Sequence, residues 1–115
     1  MKNKLGVSDF NFNENSYWRN DKQYTVKDLI DLSKDLPDIK IPLSVIDLGI
    51  MPWGEQSIHS LAYHIKRMND ADLSHPVILD DMGFICDGWH RVLKAVVAGD
   101  EFIYGRRLTT MPESC

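Results

Sequence analysis

Residues 76–91, Pro76-Val77-Ile78-Leu79-Asp80-Asp81-Met82-Gly83-Phe84-Ile85-Cys86-Asp87-Gly88-Trp89-His90-Arg91, read as a β-hairpin feeding a helix. Pro76 to Asp80 is a short apolar run, Asp81-Met82-Gly83 carries turn chemistry, and Phe84 to Cys86 is a second apolar run that stops at Asp87-Gly88. Val92, Leu93, Val96 and Val97 then recur at helical spacing, and Gly99 sits where a left-handed C-terminal cap belongs. Asp87 is the expected N-cap of this helix. His90 and Arg91 in its first turn oppose the helix dipole at a cost of roughly 0.3 to 1 kcal/mol, small enough for a purely structural arrangement. With Gly88 and the backbone N–H groups they also make a cradle for a phosphate.

Outward from this stretch, helix and strand signals alternate. Thr25 opens a helix with Asp28 three residues on, Val26, Leu29, Ile30, Leu32 and Leu36 give it an apolar side, and Pro37 stops it. Ile41 to Leu48 reads as a strand whose start, at Pro42, lies at an edge. Gly49 to Gln56 is a loop, and Ser57 to Asn69 a helix whose stripe Ile58, Leu61, Ala62, Ile65 and Met68 is expected in the core. His59 and His64 lie about 140° apart on that helix, too far round to share a metal. Phe102 to Leu108 is a last strand.

The motif Asp87-Gly88-Trp89-His90-Arg91, with the preceding strand and turn and the following helix and strand, resembles the fold shared by the amino-terminal domain of ParB partition proteins and by sulfiredoxin. The matching motif is Gly-Glu-Arg-Arg in ParB-like members and Gly-Cys-His-Arg in sulfiredoxin; here it is Gly88-Trp89-His90-Arg91. The likeness runs from about Ile41 to Leu108. It implies an α+β domain, ParB/sulfiredoxin-like, with a small mixed sheet packed with about three helices. Residues 25–108 would form the domain, 1–24 an aromatic and Asn-rich extension with Tyr17 and Trp18 packed onto it, and 109–115 a tail.

The resemblance further implies that Trp53 to Gln56 and Asp87 to Arg91 face each other across a nucleotide site. Arg91 would meet phosphate charge, Gly88 and the following N–H groups the phosphate oxygens, and His90 would contact phosphate or move a proton. Asp87 would cap the helix or help hold magnesium. Trp89 would stack on a base or fix the helix to the sheet. The cofactor would be ATP, ADP or CTP with magnesium. Sulfinic acid reduction needs a nucleophilic cysteine, and the matching position is Trp89. Asp87, Gly88, His90 and Arg91 also match relatives that phosphorylate free serine, in which case Glu55 is the candidate catalytic base and His90 its catalytic partner. As a surface residue beside a helix start, Glu55 would have no such role.

The resemblance also points to phages and mobile elements, of which short copies of this domain look typical. The alternative is therefore a non-enzymatic protein-binding effector with a vestigial site, and a third possibility is a small-molecule kinase or nucleotide hydrolase.

Composition narrows the partners. The 115 residues are 43% hydrophobic and 26% charged, the balance of a folded globular domain, and the net charge of -4 works against broad electrostatic binding of nucleic acid. A DNA-associated role would need a local basic patch from His90, Arg91, Lys94, Arg106 and Arg107. Asp80 and Asp81 read as turn residues or magnesium ligands. Cys86 and Cys115 give neither zinc spacing nor a disulfide framework. With no apolar run of membrane-spanning length and no signal-like start, the expected location is cytoplasmic.

Overall fold

Val77–Leu79 (β4) is buried along its whole length because its side chains alternate between two apolar layers. The structure is a computed structural model that describes residues 16–19, 21–54 and 57–112. Glu55, Phe10, Phe12 and Cys115 lie outside the described residues. Val77 and Leu79 join Ile41, Leu43, Ile85, Val92, Ala95 and Ile103 on one side of the sheet. Ile78 joins Tyr24, Leu29, Cys86 and Leu108 on the other.

Four strands make that sheet: β3 (Ile39–Pro42), β4, β5 (Ile85–Asp87) and β6 (Phe102–Arg107), in the order β3-β6-β4-β5. β3 and β6 are antiparallel with Ile41 opposite Ile103, β6 and β4 parallel with Gly105 opposite Val77, and β4 and β5 antiparallel. The expected strand Ile41–Leu48 is thus shorter and earlier. It ends at Pro42 on the sheet edge, and Leu43–Val45 turns into a 3-10 helix. Gly105 lies between two strands where a Cβ would come 2.5 Å from Ile41 Cδ1; the close packing of β3 on β6 needs its missing side chain.

A separate antiparallel hairpin, β1 (Ser16–Arg19) and β2 (Lys22–Thr25), carries Tyr17 and Tyr24 onto the second apolar layer. The described part of the extension is therefore built into the domain. Trp18, expected to pack, alternates to the other face of the hairpin and is 60% exposed. Met111, in the expected tail, packs on the same layer as Tyr17.

The described residues form three helices with this mixed sheet and hairpin, an α+β fold. α1 (Val26–Ser33) starts at Thr25, whose hydroxyl accepts from the Asp28 N–H at 3.3 Å. α3 (Trp89–Ala98) ends on Gly99 in the left-handed conformation, and it buries Val92 and Ala95 while Val96 and Val97 face outward. α2 (Ile58–Asp70) is capped by Ser57 and Ser60, each hydroxyl accepting the other's N–H.

The expected core stripe of α2 is reversed. Ile58 is 83% exposed, and Leu61, Ala62 and Ile65 are exposed with it, while Ser60, Tyr63 and His64 are buried. By the 3.6-residue period these sets lie on opposite sides of the helix. α2 packs against α3, where the partner is His90 rather than an aliphatic layer, so the polar side turns inward.

One buried carboxylate joins the hairpin to the sheet. Asp80 is fully buried; its Oδ1 accepts the Met82 and Phe84 N–H groups at 2.9 Å each, and its Oδ2 accepts the Tyr17 hydroxyl at 2.9 Å and Arg19 Nη1 at 3.1 Å. We expect Asp80→Ala to cost about 3 kcal/mol or more, because it strands these donors, whereas Ile65→Glu on the outward stripe stays within about 0.5 kcal/mol. Urea denaturation of both variants checks the contrast; an equally large loss at Ile65 would mean that α2 is turned the other way.

Candidate functional site

Asp87 and Gly88 turn the chain from β5 into α3. Gly88 itself is the N-cap, at φ +111°, and no side chain caps the helix. A Cβ on Gly88 would lie 2.7 Å from Val77 Cγ1, so the turn is closed to other residues by both conformation and space. Asp87, expected as the cap, accepts instead from Arg91 Nη2 at 2.8 Å.

That ion pair changes the place of Arg91. Its Nη1 also donates to the carbonyls of His75 at 3.1 Å and Pro76 at 2.7 Å. The guanidinium therefore fastens the chain entering β4 to the chain leaving β5, a planar fork holding three acceptors. Phosphate charge would have to compete with all three. Trp89 is partly buried against the Val77 layer, the sheet-fixing arrangement.

His90 meets two residues from other elements. Its Nε2 lies 2.8 Å from Nδ1 of His64 on α2, and the rings are within 20° of a common plane. The Trp53 indole, from the loop before α2, covers both, with centroids 4.0 Å from His64 and 4.6 Å from His90. Tyr63 packs edge-on against His64 and accepts Arg67 Nη1 at 2.9 Å. Burial, then the Arg67 charge, then His64 and Arg91 push His90 down to about 3. Burial and Arg67 lower His64 as well. In the ligand-free protein both rings are therefore neutral at neutral pH, and a base that weak moves protons poorly near pH 7.

A cleft of about 990 Å³ opens between the loop after β3 and the β5–α3 turn. Gly88, Trp89, His90, Arg91, Trp53 and Arg67 line it, and Tyr17, Trp18 and Phe84 line it too. Trp53 of the loop, expected to face the motif across a site, stacks directly on His90 of that motif. His64 and Arg67 were missed. Their signal was the polar series Ser60, Tyr63, His64, Arg67 at steps of three, one and three, a second helix face hidden behind a stronger aliphatic one.

The remaining candidates are engaged elsewhere. Arg106 Nε pairs with Asp38 at 2.7 Å, Arg107 donates to the Asp81 carbonyl, and Lys94 donates to the Asn69 and Ala71 carbonyls at the end of α2. Arg106 lines a small groove with Arg91, beside the carboxylates of Asp72 and Asp87. Burial first, and then the charges of Asp80 and Asp87, push the Cys86 thiol up to about 12, and it donates to the Ile78 carbonyl; it is a protonated core residue. Asp80 and Asp81 share Arg19. Among the described residues no group of three or more His, Cys, Asp or Glu side chains is placed to hold a metal ion, and no helix is long and apolar enough to cross a membrane.

The lowered histidines set a pH dependence. Their folded values lie below the unfolded value of about 6.5, so the unfolded chain binds more protons and stability falls as pH drops below about 6.5. Asp80 adds to this lower down: burial alone would raise its carboxyl, but the Phe84 N–H, the Tyr17 hydroxyl, the Met82 N–H and Arg19 hold it below the usual value. Urea midpoints should therefore decline from about pH 6.5 toward about pH 4, and a doubly substituted His64→Gln, His90→Gln protein that still folds should lose most of that part of the slope. A flat midpoint in the wild type would show that the pair is not buried neutral.

Comparison with protein families, curated proteins and solved structures found no match to this chain.

Proposed function

We propose that this chain is a nucleotide- or phosphate-binding single-domain protein of ParB/sulfiredoxin-like fold, with the anion at the start of α3. The observation that carries the reading is an uncapped helix N-terminus, entered through a left-handed glycine, opening on a cleft of about 990 Å³ that Arg67 and Trp53 also line. An uncapped first turn offers backbone N–H groups and the positive end of the helix dipole to an anion. The order helix, strand, helix, hairpin, helix, strand and the sequence Gly88-Trp89-His90-Arg91 support the family likeness.

The roles within the motif shift. Arg91 and Asp87 brace the turn that shapes the cradle, and Arg67 from α2 is the guanidinium we assign to phosphate charge. Trp53 and Phe84 offer aromatic faces for a base. Magnesium enters only as the counter-ion that travels with a nucleoside polyphosphate. The reading is of binding, and turnover is no part of it.

Titration calorimetry of ATP, ADP and CTP, with and without magnesium, tests it on wild type and Arg67→Ala. We expect saturable binding that Arg67→Ala weakens by about 10- to 100-fold, the loss of one charge-assisted hydrogen bond. Folded wild type that binds none of the three would sink the reading.

The outward aliphatic stripe of α2 favours a second reading, a protein-binding effector, because Ile58, Leu61 and Ile65 form an exposed apolar row rather than scattered residues. In that case a chain carrying both Ile58→Glu and Ile65→Glu would lose partner binding while keeping fold and nucleotide affinity. Co-purification of tagged wild type and variant from the same host, read as bands lost by the variant, distinguishes the two.

A further inference from the structure

Two neutral imidazoles joined by one hydrogen bond form a proton-accepting unit at the wall of the cleft. The 2.8 Å bond between His64 Nδ1 and His90 Nε2 uses one ring as donor and one as acceptor. Adding a proton to either ring creates a cation under the Trp53 indole. With the cleft free of anions, burial and the charges of Arg67 and Arg91 oppose that step. An anion beside Arg67 reverses the sign of the local field, since a negative charge within about 4 to 6 Å favours the protonated form of a histidine.

We propose that the His64–His90 pair takes up a proton from solvent when an anion enters the cleft beside Arg67, so that anion binding and protonation of the pair are coupled. The inference rests on the anion-binding reading above and adds its regulation: the site binds more tightly as pH falls. The step forms one N–H bond on an imidazole and breaks none in the ligand. Coupling is reciprocal, so the anion must raise the proton affinity of the pair by the factor by which protonation raises anion affinity.

The surroundings allow the pair to dominate the effect. Among the described residues, the groups facing it include Arg67 and Tyr63 on α2 and, on α3, Arg91, which is tied to Asp87. Asp47 of the loop and Asp70 of α2 also line the cleft. The His64→Gln and His90→Gln variants separate the contribution of the pair from that of these carboxylates.

Calorimetry in buffers of different ionisation enthalpy counts the protons taken up on binding. The probes are inorganic sulfate, MgATP and MgCTP, none of which gains a proton between about pH 6 and about pH 8, the range in which histidine titrates. We expect net proton uptake on anion binding that grows as pH falls from about 7 toward about 6, with affinity rising by less than about tenfold for each pH unit of acidification. His64→Gln and His90→Gln, each checked for folding, should reduce the uptake to near zero. Should either fail to fold, histidine ring resonances of wild type followed through a pH titration with and without the probe give the same answer, an upward move of the His64 or His90 midpoint.

Binding without proton uptake, or uptake that persists in both folded variants, overturns the inference and leaves the anion-binding reading standing. Failure of all three probes to bind at any pH overturns both.

Discussion

The buried carboxylate of Asp80 is the constraint on which the rest of the architecture depends. An ionised group taken fully out of water is costly unless each lone pair is met. Asp80 meets that condition with two donors from its own turn and two from a hairpin more than sixty residues earlier in the chain. The turn bonds fix β4 to β5 in register. The Tyr17 and Arg19 bonds fix the hairpin over the second face of the sheet, where Tyr24 and Ile78 then share one apolar layer. Removing the carboxylate would strand donors in both places, so local and long-range order rest on one group.

The hairpin-to-helix stretch was legible because its signals are local. Gly83, Gly88 and Gly99 each adopt the positive φ that glycine tolerates, and the apolar runs on either side of Gly83 have strand length. Thr25 and Ser57 were legible for the same reason, since capping is decided within four residues. The inward face of α2 was not. Hydrophobic periodicity names the face that would prefer burial, and a stripe as strong as Ile58, Leu61, Ala62 and Ile65 hides the polar series behind it. Which face turns in was decided by His90, twenty-six residues beyond His64, a contact that periodicity cannot see. The partners of Arg91 were hidden for a related reason. A basic residue in a helix's first turn suggests an anion, but the carbonyls of His75 and Pro76 become its acceptors only when the hairpin folds back on the helix.

The polar interior between α2 and α3 joins two imidazoles through a single hydrogen bond. A buried imidazole needs one donor and one acceptor partner, and a second imidazole of the complementary tautomer supplies either without introducing charge. Trp53 covers the pair with a face that costs nothing in hydrogen bonds, and the Tyr63 hydroxyl accepts from Arg67 at the edge of the layer. Such a layer is sensitive to charge in a way that an aliphatic layer is not. Every proton or anion that enters changes the field across both helices, in a medium that screens it less than water does.

This sensitivity bears on how the motif at the start of α3 divides its work. Gly88 gives the turn, Asp87 and Arg91 lock it, Trp89 fastens it to the sheet, and only His90 reaches the neighbouring helix. The residues that hold the cradle's shape are therefore distinct from those able to respond to its contents. Locked backbone geometry is suited to presenting fixed N–H dipoles, which need no rearrangement when charge arrives. A neutral histidine pair is suited to the opposite task, since its charge can change while its position does not. A site built from both can keep its shape through binding while its net charge adjusts, and one member of the responsive pair, His64, comes from α2, outside the motif that drew attention to the site.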